Sequence, residues 1–523
     1  MERIAPIIAL AAVVAASMRI VSTYEVFSHT TDEPGHLACG IHYLQGDICQ
    51  YEYAPLARAA IAVGPYLAGA RSQQIADIPR EGLAILANHY SRFLALARCG
   101  VLPFFWIACG TLYLWGHRYF GKAAAAMSVL LFSLLPPVLA HAGLATADMA
   151  LTACLAAAFL AWLIWTEQPT WPRSVVCGVL TGVAVLARFS TCGFLPAILA
   201  IALTWYLLVE RPAARHLQAV LRARIGPFLV AGLAAFAAWW AGYQFSLGLV
   251  DGIPVPAPQF VTALRYIAHL NAHGQASYLL GEVSNAGWWY YYPVALALKT
   301  PVAFLLLLGC GLRSWRSRRR RTEFASPLIF AAGILLVGSF SQINIGVRHV
   351  LPVYCGLALL AGNGAILLLG RKNHPAWGIL TATALLGWLT WTGVAKHPDY
   401  LAYFNELTAR EPEKALVDSD LDWGQDFNRL ARRLHALGAA EVHFSTFVPA
   451  DLQSVQGFPL VRPVDPVTPA PGWTAVSPTW WKLRQFEMDS DYQDRPLWID
   501  RTKPTERVGS ILLFHFSNRQ PSN

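Results

Sequence analysis

The sequence predicts a mainly α, polytopic membrane protein with about eleven transmembrane helices, followed by a small α/β domain at the C terminus. Three observations predict it. Of 523 residues, 55% are apolar and 14% charged, where a soluble domain carries about 25% charged residues. The apolar residues gather into runs of roughly the 20 residues that a bilayer crossing requires. Lys and Arg are divided unequally between alternate loops, as membrane topology demands.

The runs fall at 4–22, 93–115, 123–141, 149–165, 174–190, 192–209, 227–248, 294–312, 326–342, 350–369 and 376–395. With the N terminus in the cytoplasm, the cytoplasmic loops are 117–122, 166–173, 210–224, 313–323 and 371–374, and with Arg3 they hold sixteen basic residues. The opposite loops and helix ends hold ten before residue 396, spread over longer stretches. Residues 1–395 carry 26 basic and 14 acidic groups, residues 396–523 carry 14 and 17, and the whole chain has a net charge of +9. The basic excess is therefore a topological signal, with attraction to anionic inner-leaflet lipids. The Arg318–Arg321 run sits at a cytoplasmic membrane flank, and nucleic acid is not expected as a partner. The first apolar run leads straight into an acidic loop without a small-residue cleavage site, so it reads as a helix rather than a cleaved signal.

Three outer segments follow from this topology. The first, 23–92, opens with Thr31-Asp32-Glu33-Pro34 and carries four carboxylates between positions 32 and 52. It is expected to fold as short interfacial helices, since the apolar stretch Leu56–Ala70 is too short to span. Its Cys39 and Cys49 share a compartment that permits a disulfide, and nothing in the spacing decides whether they form one. The second, 251–293, contains Arg265, His269, His273 and the aromatic cluster Trp288-Trp289-Tyr290-Tyr291-Tyr292, of a kind suited to a membrane interface. The third is the tail, 396–523, where the composition turns soluble. A strand at Ala415–Asp418, a helix over Gly424–Leu437 and a strand at Val442–Ser445 predict its α/β character. The division is thus 1–395 for the membrane domain and 396–523 for an outer-side domain.

Carboxylates beside a bilayer suit group transfer from a lipid-linked donor. One carboxylate accepts the proton of an attacking hydroxyl, others hold a divalent cation against a leaving phosphate, and Arg or Lys binds that phosphate directly. The outer side supplies Asp32, Glu33, Glu52 and Asp148 as acids, and Arg58, Arg188, Arg265, Lys299 and Arg348 as cations. His269 and His273 are candidate metal or phosphate ligands. Solvation of helix ends is the plainer account of any one of these groups except Asp32, and for Asp148 a helix-dipole cap is an alternative to a catalytic role. Arg188 near the end of a span is costly unless paired, which favours a partner such as a lipid phosphate.

Taken together, Asp32-Glu33, His36, Tyr51-Glu52-Tyr53-Ala54-Pro55-Leu56 and Ala147-Asp148 resemble the GT-C glycosyltransferases, in particular the protein O-mannosyltransferase and aminoarabinose-transferase superfamily (glycosyltransferase family 39-like). Gly287–Pro293 with Lys299-Thr300-Pro301, Asn344–Pro352 and Asp418-Ser419-Asp420-Leu421-Asp422-Trp423-Gly424-Gln425-Asp426 resemble one bacterial branch of it. The resemblance implies a GT-C fold, a polyprenyl-phosphate sugar donor and Asp32 as catalytic base. It implies a divalent metal in some members, held here by Glu52 with His269 or His273. Tyr53 stands where that motif commonly has lysine, so Arg58 or Arg188 would supply the missing phosphate contact.

The expected activity is inverting transfer of a sugar to an acceptor hydroxyl on a glycan, lipid or protein, at the outer (periplasmic) face of the inner membrane. Asp32, Glu33 and Asp148 are the catalytic candidates. Arg58, Arg188, Arg265, Arg348 and Lys299 are those for donor phosphate, with Tyr53, Trp288, Trp289 and Tyr290 for acceptor or lipid. The alternative from another class is a lipid or sugar transporter or flippase, which would place charges along a midplane pathway. Another is a non-catalytic assembly or sensor protein that binds through its tail.

Overall fold

A computed structural model describes residues 3–49, 54–318, 322–370, 375–484 and 496–517. Every predicted span becomes helix. After α1 (Ala5–Val21), the first loop folds into three short helices, α2 (Glu33–Leu44), α3 (Pro55–Leu67) and α4 (Ile78–Ala87). A disulfide joins Cys39 to Cys49 across this loop. Next, α5 (Tyr90–Cys99) and α6 (Leu102–Phe120) form one apolar rod of 31 residues. Then α7 (Lys122–Phe132) meets α8 (Pro136–Ala142) at 70°. A proline starts the second member of that pair and forces an extended residue before it.

Four helices follow: α9 (Asp148–Glu167), α10 (Trp171–Ala187), α11 (Thr191–Trp205) and α12 (Ala214–Gly242). The second long loop holds hairpin β1 (Leu247–Val250)–β2 (Ile253–Pro256), helix α13 (Pro258–His273) and hairpin β3 (Ser277–Leu279)–β4 (Glu282–Ser284). Next, α14 (Tyr291–Lys299) and α15 (Val302–Arg318) meet at 115° across Pro301. The bundle closes with α16 (Thr322–Ser339), α17 (Val353–Leu369) and α18 (Pro375–Ala395). Among the described residues five helical segments are long and apolar enough to cross a bilayer, or seven when each bent pair counts as one. The shorter apolar helices Ala5–Val21, Trp171–Ala187, Phe324–Ser339 and Val353–Leu369 occupy the remaining predicted spans.

Large apolar side chains stay exposed on the outside of the bundle, among them Leu10 and Met18 of α1, Leu229 and Leu233 of α12, and Trp377 and Trp391 of α18. A lipid environment accommodates that surface, so these helices need no protein partner on their outer faces. Where helices do meet, small residues let backbones approach. A Cβ on Gly178 of α10 would lie 2.1 Å from the Ala231 carbonyl oxygen of α12, and one on Gly182 2.5 Å from that of Ala235.

The structure differs from expectation at two places. The predicted cytoplasmic loop 210–224 is helical from Ala214, because its Ala, Leu, Gln and Arg residues are good helix formers and simply extend α12. The predicted strand at Ala415–Asp418 does not form. Asp418 takes φ +57°, outside the strand region, and the segment makes 3₁₀ turns at Pro412–Lys414 and Asp418–Asp420.

The predicted helix and second strand of the tail both form, as α19 (Phe427–Ala436) and β5 (Glu441–Ser445). With β6 (Leu460–Arg462), β7 (Gly472–Val476), β8 (Glu506–Val508) and β9 (Ile511–Phe516), β5 makes a mixed sheet in the order β6-β5-β7-β9-β8. Side chains alternate along β9: Ile511 and Leu513 pack with Phe427, Leu430 and Leu434 of α19. Leu512 and Phe514 face the other way, toward Trp480, Trp481 and Trp498, as a period of two requires.

Candidate active site

Between the tail and the adjacent ends of the helices lies a cavity of about 940 Å³. Its polar lining comes from separate parts of the chain: Asp32 and His36 of the first loop, Arg58 of α3, Asp148 of α9, Arg188 after α10, Arg348 and His349 before α17, and Asp418 of the tail. Leu264, Ile267, Val337 and Phe340 give it an apolar side.

Asp32 is the N-cap residue of α2, and its side chain is 27% exposed. Arg348 donates to its Oδ2 at 2.6 Å, and the Arg348 guanidinium lies 4.1 Å from the Trp423 ring centre. Burial acts to raise the Asp32 carboxyl, but the charge and hydrogen bond of Arg348 outweigh it and hold the group below its ordinary value. His36, one turn on, is pushed down to about 3 by burial and by Arg58, which leaves it neutral. Asp148 opens α9 and pairs with Arg188; Thr146 donates to its Oδ2 at 2.9 Å, and His141 Nδ1 stands 3.9 Å away. Asp418, on its 3₁₀ turn, is pushed up to about 7 by burial, partly offset by Arg348.

Of the predicted residues, then, Asp32, Asp148, Arg58, Arg188 and Arg348 come together. Others do not. The Glu33 carboxylate turns away from the cavity into the protein: Arg98 grips it at 2.8 and 2.9 Å, and the backbone N–H groups of Thr30 and Ala145 donate at 2.8 Å. Burial raises that carboxyl, and Arg98 and the two N–H groups more than reverse the effect. Adjacent helical residues point about 100° apart, so Glu33 cannot share the site of Asp32.

Lys299 is also buried, its Nζ donating to the Leu401 carbonyl at 2.7 Å and to that of Asp420, above the Phe404 ring. It ties α14 to the tail and does not line the cavity. Arg265 lies exposed and paired with Asp251. His269 and His273 stack on each other, exposed on α13. Trp289 and Tyr290 are exposed outside the cavity and Trp288 is anchored through its backbone N–H, which donates to Asn344 Oδ1, whereas Tyr292 lines the cavity. Glu52 and Tyr53 lie outside the described residues. The tail residues Asp418 and Trp423 carried a family resemblance in sequence but no assignable role, because their partners are hundreds of residues away.

Residues 97–241 match the family model of dolichyl-phosphate-mannose-protein mannosyltransferase, a stretch that includes Asp148 and Arg188. Among curated proteins none matches the chain by sequence. By structure, ArnT from Cupriavidus metallidurans in the apo state superposes with a TM-score of 0.53 at 14% identity, covering 96% of this chain and 97% of ArnT. This is a GT-C glycosyltransferase fold. The same fold recurs in ArnT bound to undecaprenyl phosphate (TM-score 0.50, 15% identity, 96% of this chain and 97% of that one). It recurs in the archaeal oligosaccharyltransferase AglB from Archaeoglobus fulgidus in complex with an inhibitory peptide and a dolichol-phosphate (TM-score 0.51, 12% identity, 98% of this chain and 75% of that one). The GT-C fold accounts for both the multi-span bundle and the sheet domain placed over one end of it.

Proposed function

We propose that the chain transfers a sugar from a polyprenyl-phosphate donor to an acceptor hydroxyl at the outer face of the inner membrane, with inversion at the anomeric carbon. One observation carries the reading: a partly exposed carboxylate, Asp32, shares a half-apolar cavity with the guanidinium groups of Arg58, Arg188 and Arg348. Guanidinium groups recognise phosphate oxygens by paired N–H donors, and the apolar side suits the first isoprenes. That ArnT is solved bound to undecaprenyl phosphate and AglB in complex with a dolichol-phosphate supports a lipid-phosphate donor for a chain of the same fold.

In the step proposed, Asp32 takes the proton of the acceptor hydroxyl as its oxygen bonds to the anomeric carbon. The bond from that carbon to the phosphate oxygen breaks, and its electron pair leaves with the polyprenyl phosphate. The arginines neutralise the charge that develops there. Asp148, paired with Arg188, holds that cation at the cavity wall. Of the metal set implied by the family resemblance, Glu52 lies outside the described residues, and His269 and His273 do not line the cavity. The chain's own cations carry the step proposed.

The test is Asp32→Asn in membranes supplied with labelled polyprenyl-phosphate sugar. The expected result is a loss of about 10²–10⁴-fold in transfer rate with donor binding retained. Near-normal transfer would remove Asp32 from the role of base.

A further inference from the structure

The tail segment 418–427 is hydrogen-bonded to both chain segments that carry the Asp32–Arg348 pair. On one side, Ser28 N donates to the Gln425 carbonyl at 2.9 Å and Thr31 N to that of Trp423 at 3.2 Å, while Phe427 N donates to Ser28 Oγ at 2.9 Å. On the other, Val347 N donates to Asp420 Oδ1 at 3.1 Å, and Ser419 Oγ bonds the Ile345 carbonyl. Asp32 and Arg348 each directly follow a residue whose backbone N–H is tied to this segment. Trp423 packs beside the pair, 1% exposed. Its carbonyl holds the residue before Asp32, its ring faces the Arg348 guanidinium, and its edge approaches His141, the neighbour of Asp148.

We propose that Trp423 is a positioning residue of the transfer reaction, fixing the Arg348 guanidinium against Asp32 so that the tail completes the catalytic site. The inference rests on the reading of Asp32 as base and adds to it a residue from outside the membrane domain. A guanidinium stacked on an indole keeps its in-plane donors free. Here Nη1 reaches Asp32, and Nε is buried without a hydrogen-bond partner among the described residues. That leftover donor is available to a phosphate entering the cavity. The other charged or titratable groups lining the cavity are His36, Arg58, Asp148, Arg188, His349 and Asp418; Arg188 is paired with Asp148 and Arg58 bonds the Ala54 carbonyl, so neither cation holds Asp32 as Arg348 does.

The experiment compares Trp423→Leu with Trp423→Phe in the full-length protein. Both lose volume, but only Leu loses the aromatic face. Infrared difference titration of ¹³C-aspartate-labelled protein reads the Asp32 midpoint directly, as the band missing in Asp32→Asn, and needs no substrate. Trp423→Leu is expected to raise that midpoint by about one pH unit, a tenfold gain in proton affinity, and Trp423→Phe by clearly less. The acid limb of transfer from labelled undecaprenyl-phosphate hexose should move by the same amount. Equal shifts in the two variants, or none, overturn the proposal. Should Trp423→Leu fail to fold, Arg348→Lys carries the same expectation, since an ammonium cannot make the planar stack, and an unmoved midpoint overturns it. Normal transfer by Asp32→Asn would instead sink the base assignment while leaving the Trp423 effect on the Asp32 midpoint measurable.

Discussion

Asp32 and Glu33 are adjacent in sequence and opposite in fate. Glu33 exchanges solvent for a buried clasp of one guanidinium and two backbone N–H groups. Removing one partner of a buried ion pair costs about 3–5 kcal/mol because the other charge is left uncompensated. Glu33→Gln is therefore expected to lower the unfolding temperature in detergent strongly, and Arg98→Gln to do the same; an unchanged melting curve would contradict the structural role. Asp418 makes the opposite prediction for pH. Its carboxyl is raised to about 7, so the folded protein binds that proton more tightly than the unfolded chain. The associated stability is present at low pH and is lost as pH rises through about 7. Asp418→Asn should raise the melting temperature at pH 8, raise it less at pH 5 and leave it nearly unchanged near the unfolded pKa of 3.8, as a thermal-shift series would show.

Among the elements, α10 and α12 illustrate how much a membrane helix depends on its smallest residues. With Gly178 and Gly182 facing the α12 carbonyls, Gly178→Leu has no room and must push the helices apart. Overpacking of this kind costs about 1–3 kcal/mol, and circular dichroism melts should show it, with Gly232→Leu, which meets nothing within 4 Å, as the neutral comparison. The bends at Pro136 and Pro301 break what the sequence reads as the single spans 123–141 and 294–312. The strand expected at Ala415–Asp418 failed for a tertiary reason. Its neighbours on the bundle side offer a carbonyl at Ile345 and an N–H at Val347, and a 3₁₀ turn meets them better than a β ladder. Similarly, α13 has an aromatic and histidine-rich sequence that reads as functional, yet its histidines face away from the cavity, because only Leu264, Ile267 and the residues near Asn271 are turned inward.

At the scale of the molecule, the charge asymmetry of the loops and the position of the tail give a joint prediction. In a variant lacking the exposed Cys99 and Cys192, Thr468→Cys in the tail should react with a membrane-impermeant maleimide added to the outside of intact cells. Gln168→Cys, in the loop between α9 and α10, should react only after permeabilisation. The reverse pattern would invert the topology. Because Asp418 and Trp423 line the cavity together with helix-end residues, neither the bundle nor the tail contains the whole site.

Hydrophobic run length and loop charge are local properties, and they sufficed to establish a multi-span bundle, its eleven helical regions and the shift to a soluble-type tail. Residue chemistry and the resemblance of short motifs placed Asp32, Asp148, Arg58, Arg188 and Arg348 among a longer set of candidates. Only the tertiary structure could separate Asp32 from Glu33, remove Lys299 and the exposed aromatics from the cavity, and bring Trp423 beneath Arg348. Each of those outcomes depends on a partner far along the chain: Arg98 lies 65 residues from Glu33, and Arg348 lies 316 from Asp32. No periodicity or composition encodes which distant group a buried charge will meet. That pairing is settled when the helices pack, since a charge removed from water must find its counterion where the fold has put one.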